Sequence, residues 1–182
     1  MFDQKQVDEI SGFVQESKAY LKGNKAVKNL PYEAMGGLFD GSKKLYIHVN
    51  DEKGITDAVN FYKEHGIKSM VIIGGYQAYK VADLLKQNNV GVLINHTHSR
   101  PASDDHDYDL PFRNAKILID KGITVAIGME GQMERMNTRN LPFYAGTYAA
   151  YGVDKEQAVA MITGNAAKVL GIDDFAGTLI VF

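Results

Sequence analysis

The stretch KLYIHVNDEKGITDAVNFYKEHG, Lys44 to Gly66, carries two periods in succession. Leu45, Ile47 and Val49 alternate with Tyr46, His48 and Asn50, the period-two signature of a strand with two different faces. The residues from Glu52 onward form an amphipathic helical segment, which closes on His65-Gly66 as a C-terminal glycine cap would. The piece is thus a strand followed by a helix, with a polar strand face that a plain core would not need.

The same unit recurs three more times. SMVIIG precedes YQAYKVADLLKQNN, VGVLIN precedes a long polar loop and DLPFRNAKILIDKG, and ITVAIG precedes a second polar loop and LPFYAGTYAAYGV. Lys121-Gly122 repeats the glycine ending just before the fourth strand. Short apolar strands alternating with amphipathic helices predict right-handed βαβ units and a parallel sheet. Four such units amount to half of an eight-stranded (β/α)8 barrel, and the polar face of the first strand then lines the barrel mouth.

Residues 1–43 read differently. Val7, Ile10, Val14 and Leu21 lie near helical spacing and predict a helix from Gln4 to Lys22, followed by a short helix over Pro31 to Phe39. At the other end, DKEQAVAMITGNAAKVLGI predicts two short helices broken around Thr163 to Asn165, and GTLIVF a final strand. A strand with no successor suggests a chain cut short. The expected organisation is a helical segment over 1–43 and the βα array over 44–182.

The 182 residues suffice for one domain with a sizeable core, and 45% apolar with 23% charged residues is an ordinary globular composition. The net charge of -2 leaves no basic footprint for nucleic acid. No apolar run reaches the length of a membrane span, so no membrane partner is expected. With no cysteine, any metal must be held by nitrogen and oxygen donors.

Parallel α/β folds place their sites beyond the C-terminal ends of the strands. His48 and Asn50 stand at the first such end and Gly74-Gly75 at the second. Asn95, His96, His98, Asp104, Asp105, His106, Asp107 and Asp109 follow the third, and Glu130 the fourth. Each also has a plainer reading. A strand-end histidine is often a hydrogen-bonded structural residue, and Pro101, Ser103 and Asp104 are common turn chemistry. Gly-Gly before a helix can cradle an anion, but it lacks the wider phosphate-binding pattern. Glu130 alone could cap the next segment.

The order of the pieces from Lys44 to Leu179 resembles the C-terminal half of the metal-dependent amidohydrolase superfamily, above all its imidazolonepropionase-like and prolidase-like members. LYIHVND is similar to the fifth barrel strand, whose metal-binding histidine would be His48. VAIGMEG is similar to the eighth strand, where Glu130 occupies the place of the aspartate that binds metal and takes a proton from water. Thr163, Asn165, Ala167, Leu170 and Gly171 match the T-x-N-x-A-x-x-L-G helical close. The resemblance implies a hydrolase of amide, lactam or dipeptide C–N bonds, a small-molecule substrate, and a divalent metal, zinc foremost. The metal ligands would be His48 and Glu130, and Glu130 would be the catalytic residue. His96, His98, Asp105 and His106 are then candidates for the substrate loop.

Several positions depart from that pattern. The family's initial HxH pair has no counterpart in the matching order, Gly74 stands where a sixth-strand histidine is common, and the eighth-strand aspartate is glutamate. A catalytic zinc takes three protein ligands, and two are matched, so this chain is expected to be an inactive fragment. A binding or scaffold protein with a decayed metal site is the alternative. A third reading is an open α/β domain that binds a small anion at Gly74-Gly75. Four strands leave two sheet edges and an apolar inner face, so two copies are expected to associate as a homo-oligomer. Localisation stays open.

Overall fold

Helices 4–22 and 52–64 are where the periodicity places them, and four strands lie between and beyond them. The computed structural model describes residues 4–23, 27–95, 97–101, 106–129 and 136–178. In chain order the elements are α1 (Gln4–Lys22), α2 (Leu30–Ala34), α3 (Gly36–Asp40), β1 (Leu45–Val49), α4 (Glu52–Glu64), β2 (Met70–Gly74), α5 (Ala82–Gln87), β3 (Gly91–Ile94), α6 (Leu110–Asp120), β4 (Val125–Ile127), α7 (Leu141–Ala150), α8 (Lys155–Ala160) and α9 (Gly164–Leu170). Single 3-10 turns precede α5 and α7. Among the described residues no helix is long and apolar enough to cross a membrane.

The sheet is parallel throughout, in the order β1-β2-β3-β4. Leu45 is opposite Met70 and Val49 opposite Gly74; Val71 pairs with Gly91, and Val92 with Val125. This is the alternating α/β architecture expected from the sequence, with each crossover made by one βα unit.

The strand period sorts the core into two layers. Val49, Met70, Ile72, Val92, Ile94, Val125 and Ile127 pack with Ile55, Val59, Leu85, Leu118 and Tyr148 on the helix side. Each fully buried aliphatic side chain there contributes about 1.5–3 kcal/mol, which makes this layer the main source of stability. Asp51 opens α4 by accepting the Gly54 N–H at 2.8 Å, the N-cap role for which aspartate is suited. Gly66, at φ +62, closes it; the Ile67 N–H returns to the Tyr62 carbonyl at 3.2 Å, a glycine-terminated helix end of the expected kind.

The opposite face holds Val71 and Ala126, with Leu93 beside them, and α9 lies across it with Val169 buried against them. The Tyr46 hydroxyl donates to the Val169 carbonyl at 2.9 Å, and Lys44 Nζ bonds the Lys168 carbonyl. The helix carrying the T-x-N-x-A residues therefore covers part of the inner face. The outer edge of β4 is met by the α8–α9 turn: the Ile127 N–H donates to the Met161 carbonyl at 3.1 Å, and Asn165 Nδ2 to the Val125 carbonyl at 3.0 Å. Asn165 thus supplies the donor that a neighbouring strand would otherwise provide.

The N-terminal helices sit beside β1 and α4. Ser11 Oγ is 3.0 Å from His65 Nε2, and Lys18 Nζ donates to the His65 carbonyl at 3.1 Å. The helix expected over Pro31 to Phe39 is two helices broken at Met35, because Gly36-Gly37 weakens it and a Cβ at Gly37 would collide with the Lys43 side chain. The strand expected over GTLIVF falls largely on 179–182, outside the described residues; its first residue, Gly177, has φ +91, which is not strand geometry.

Candidate functional site

A cavity of about 370 Å³ opens at the C-terminal ends of β1, β2 and β3. The first wall comes from β1. Leu45, Ile47 and Val49 face the helices, so the period of two sends His48 to the other face, and His48 and Asn50 line the cavity. The sequence reading that gave this strand a polar face toward a barrel mouth corresponds to this placement.

The second wall is the turn after β2. Gly74 and Gly75 have φ of +95 and +64, a left-handed pair that only glycine adopts without strain. A Cβ at Gly74 would lie 2.5 Å from Asn50 Oδ1. Asn50 is itself stitched to the turn: its carbonyl accepts the Gln77 N–H at 2.8 Å, and its Oδ1 accepts the Tyr76 N–H at 3.4 Å. The Gly75 N–H donates to the Val49 carbonyl at 2.8 Å. That N–H is therefore committed within the fold rather than presented to an anion, and the next segment is a short 3-10 turn, Ala78–Val81.

The third wall follows β3. Asn95 is buried, and a Cβ at Gly128 would collide with its Oδ1. Ser99 and Arg100 line the cavity beyond it. Thr97 is buried and accepts the Tyr148 hydroxyl at 3.3 Å. Burial pushes the Tyr148 hydroxyl up to about 12, partly opposed by the bond to Thr97, so this contact stays protonated and fixes the loop to α7.

Asn114 supports the turn from below. Leu110, Asn114 and Leu118 share one face of α6, and all three are buried. Asn114 Nδ2 donates to the Gly75 and Tyr76 carbonyls at 3.3 Å each. Two carbonyls on one side settle which end of the amide faces them, and Asn114 Oδ1 is left buried without a partner among the described residues.

The sequence-derived candidates separate. His48 lines the cavity. His98 does not; its Nε2 is 2.8 Å from Thr147 Oγ1 and its ring 4.8 Å from that of Tyr144, so it docks the loop onto α7. The His106 ring is 5.7 Å from that of Tyr76, with Nδ1 buried and without a partner among the described residues. Asp107 and Asp109 are both drawn to Arg113, at 2.8 and 3.0 Å. His96, Asp105 and Glu130 lie outside the described residues.

Among the described residues no three His, Asp or Glu side chains gather to hold a metal ion. The donors around the cavity are the His48 imidazole and neutral amide and hydroxyl groups, whereas a catalytic zinc takes three nitrogen, sulfur or carboxylate ligands. Gly74 cannot add a histidine without displacing Asn50. The described set therefore does not fit a complete metal centre.

Asn114, Tyr76 and Arg100 were not singled out by the sequence reading. For Asn114 a signal existed: an amide on the apolar face of α6, between Leu110 and Leu118, needs partners when buried. Arg100 carried no comparable signal, since its neighbours across the cavity come from other strands.

Residues 23–181 match the model of the amidohydrolase family. The amidohydrolase TasK of Hapsidospora irregularis is 33% identical over 122 residues, covering 60% of this chain and 12% of that protein. The crystal structure of an amidohydrolase from Thermotoga maritima MSB8 superposes with a TM-score of 0.78 at 20% identity, over 95% of this chain and 46% of that one. The chain thus spans less than half the length of either relative, and the structural likeness extends over the N-terminal helices as well as the sheet. The chain belongs to the amidohydrolase family.

Proposed function

We propose that this chain is the strand-five-to-eight portion of an amidohydrolase barrel, of the imidazolonepropionase-like or prolidase-like kind, and carries the substrate end of a hydrolase of amide, lactam or dipeptide C–N bonds. The observation that supports this most is the cavity at the ends of β1–β3, with His48 and Asn50 presented to it by the strand period. Sites of parallel barrels lie at that end. The share of the Thermotoga structure covered, 46%, agrees with half of a barrel.

The family is generally metal-dependent. In this reading His48 and Glu130 are the metal ligands, zinc is the expected ion, and Glu130 is the base that takes the proton from water. Two ligands fall short of the three that a catalytic zinc requires, so the 182-residue chain is inactive by itself. His48 and the cavity then bind and orient the substrate carbonyl, and no step of hydrolysis is completed here. Hydrolysis of N-acetyl amino acids, dipeptides and lactams after zinc loading tests this: no turnover is expected. Turnover that Glu130→Gln abolishes would show a complete enzyme.

The closeness of Gly74 to Asn50 favours a second reading, a binding or scaffold protein whose metal site has decayed. Under it the cavity binds a small molecule without chemistry.

A further inference from the structure

The charge around the cavity says what it takes. Among its described lining residues Arg100 is the permanent cation, and none is acidic. Arg100 is exposed and has no carboxylate partner among the described residues. Of the acids that follow it in the chain, the described ones, Asp107 and Asp109, are engaged with Arg113. Neutral donors stand beside it: the Ser99 hydroxyl, and the Asn50 amide, whose Oδ1 already faces the Tyr76 N–H and so leaves its NH₂ group to donate. Ile73, Ile94 and Pro111 give the remaining wall an apolar surface.

A guanidinium with no carboxylate partner among the described residues, flanked by neutral donors over an apolar wall, is complementary to a small organic carboxylate. We infer that the cavity at the ends of β1–β3 binds the carboxylate of an N-acyl amino acid, with Arg100 as its specificity-determining residue. The amide part of that ligand rests on the proposed C–N hydrolase reading; the carboxylate part rests on the cavity alone. The apolar wall accommodates the acyl or side-chain carbons. Arg100 acts by binding, and takes no part in bond breaking.

The test is equilibrium binding of N-acetylglycine to the metal-free 182-residue chain, followed through the backbone amide resonances of Asn50, Tyr76, Ser99 and Arg100. The comparison ligand is N-acetylglycinamide, which has the same shape without the charge. N-acetylglycine is expected to bind at least about tenfold more tightly, the size of one charge-assisted hydrogen-bonded contact. Arg100→Gln, a change at an exposed position, is expected to remove that preference while leaving the spectrum of the folded chain intact. Equal binding of the two ligands, binding of neither at millimolar concentration, or an undiminished preference in Arg100→Gln would overturn the inference. Displacement of N-acetylglycine by equimolar inorganic phosphate with equal affinity would overturn the assignment to a carboxylate. Because no metal or turnover enters the measurement, a chain that binds N-acetylglycine without hydrolysing it upholds this site under either reading of function. A chain that hydrolyses neutral and anionic amides equally keeps the hydrolase reading and loses this one.

Discussion

Gly74 and Asn50 occupy one space: a Cβ at position 74 would stand 2.5 Å from Asn50 Oδ1, with the backbone there at φ +95. The turn that walls the cavity is therefore built from a missing side chain and the amide that fills its place.

Gly74→Ala accordingly meets both strain and collision, and is expected to lose about 1–3 kcal/mol of stability in urea unfolding. Adding Asn50→Gly should return the collision part and leave the strain, so the two changes are coupled. Simple additivity would mean that Asn50 does not fill that space.

Asn114 holds the same turn through two hydrogen bonds to carbonyls. Asn114→Ala should cost about 1–3 kcal/mol, since the Gly75 and Tyr76 carbonyls lose their donor and the removed atoms leave a gap. Loss of N-acetylglycine binding should accompany it. Wild-type stability would show that the turn stands without this support.

Asn165 closes the outer edge of β4 through the Val125 carbonyl. Asn165→Ala is expected to lower stability by about 1 kcal/mol. It should also speed hydrogen exchange at the Ile127 amide, which the same turn protects through Met161. Unchanged exchange would mean that the edge is held without Asn165. With β4 met in this way, we propose β1 as the edge through which two copies associate, and light scattering at rising concentration should show a dimer; a monomer throughout would contradict that.

Tyr148 gives the fold an alkaline limit. Burial raises its hydroxyl from 10.0 to about 12, so above pH 10 the unfolded chain loses the proton first and stability falls as pH rises. Below that range this group contributes no slope. The loss between the two values is about 2–3 kcal/mol. Tyr148→Phe should be less stable at neutral pH for want of the Thr97 bond, yet lose less on going to alkaline pH. Parallel losses in both proteins would place the effect elsewhere.

Much of this architecture is legible in the chain. The alternation of Leu45, Ile47 and Val49 with Tyr46, His48 and Asn50, and the glycine endings at Gly66 and Gly122, are local signals that packing reinforces. The placement of His48 at a cavity follows from the same period. The break at Met35, the shortness of β4 and the position of α9 over Val71 and Ala126 are tertiary outcomes. No periodicity announces them, because they depend on what lies across the sheet. Asn165 shows the difference well: its motif marks a family, while its bond to Val125 requires the strand and the turn to be brought together. Arg100 is another such case, since what distinguishes it is its place on the cavity wall beside groups brought there by other strands.

We propose that this chain carries the substrate end of an amidohydrolase site, and its described residues hold no complete metal centre. Zinc per chain, measured by plasma mass spectrometry after incubation with zinc and desalting, tests it most directly. Well below one equivalent is expected in the wild type, with no significant change in His48→Ala. Close to one equivalent, lost in both His48→Ala and Glu130→Ala, would contradict it and establish a working metal site within these 182 residues.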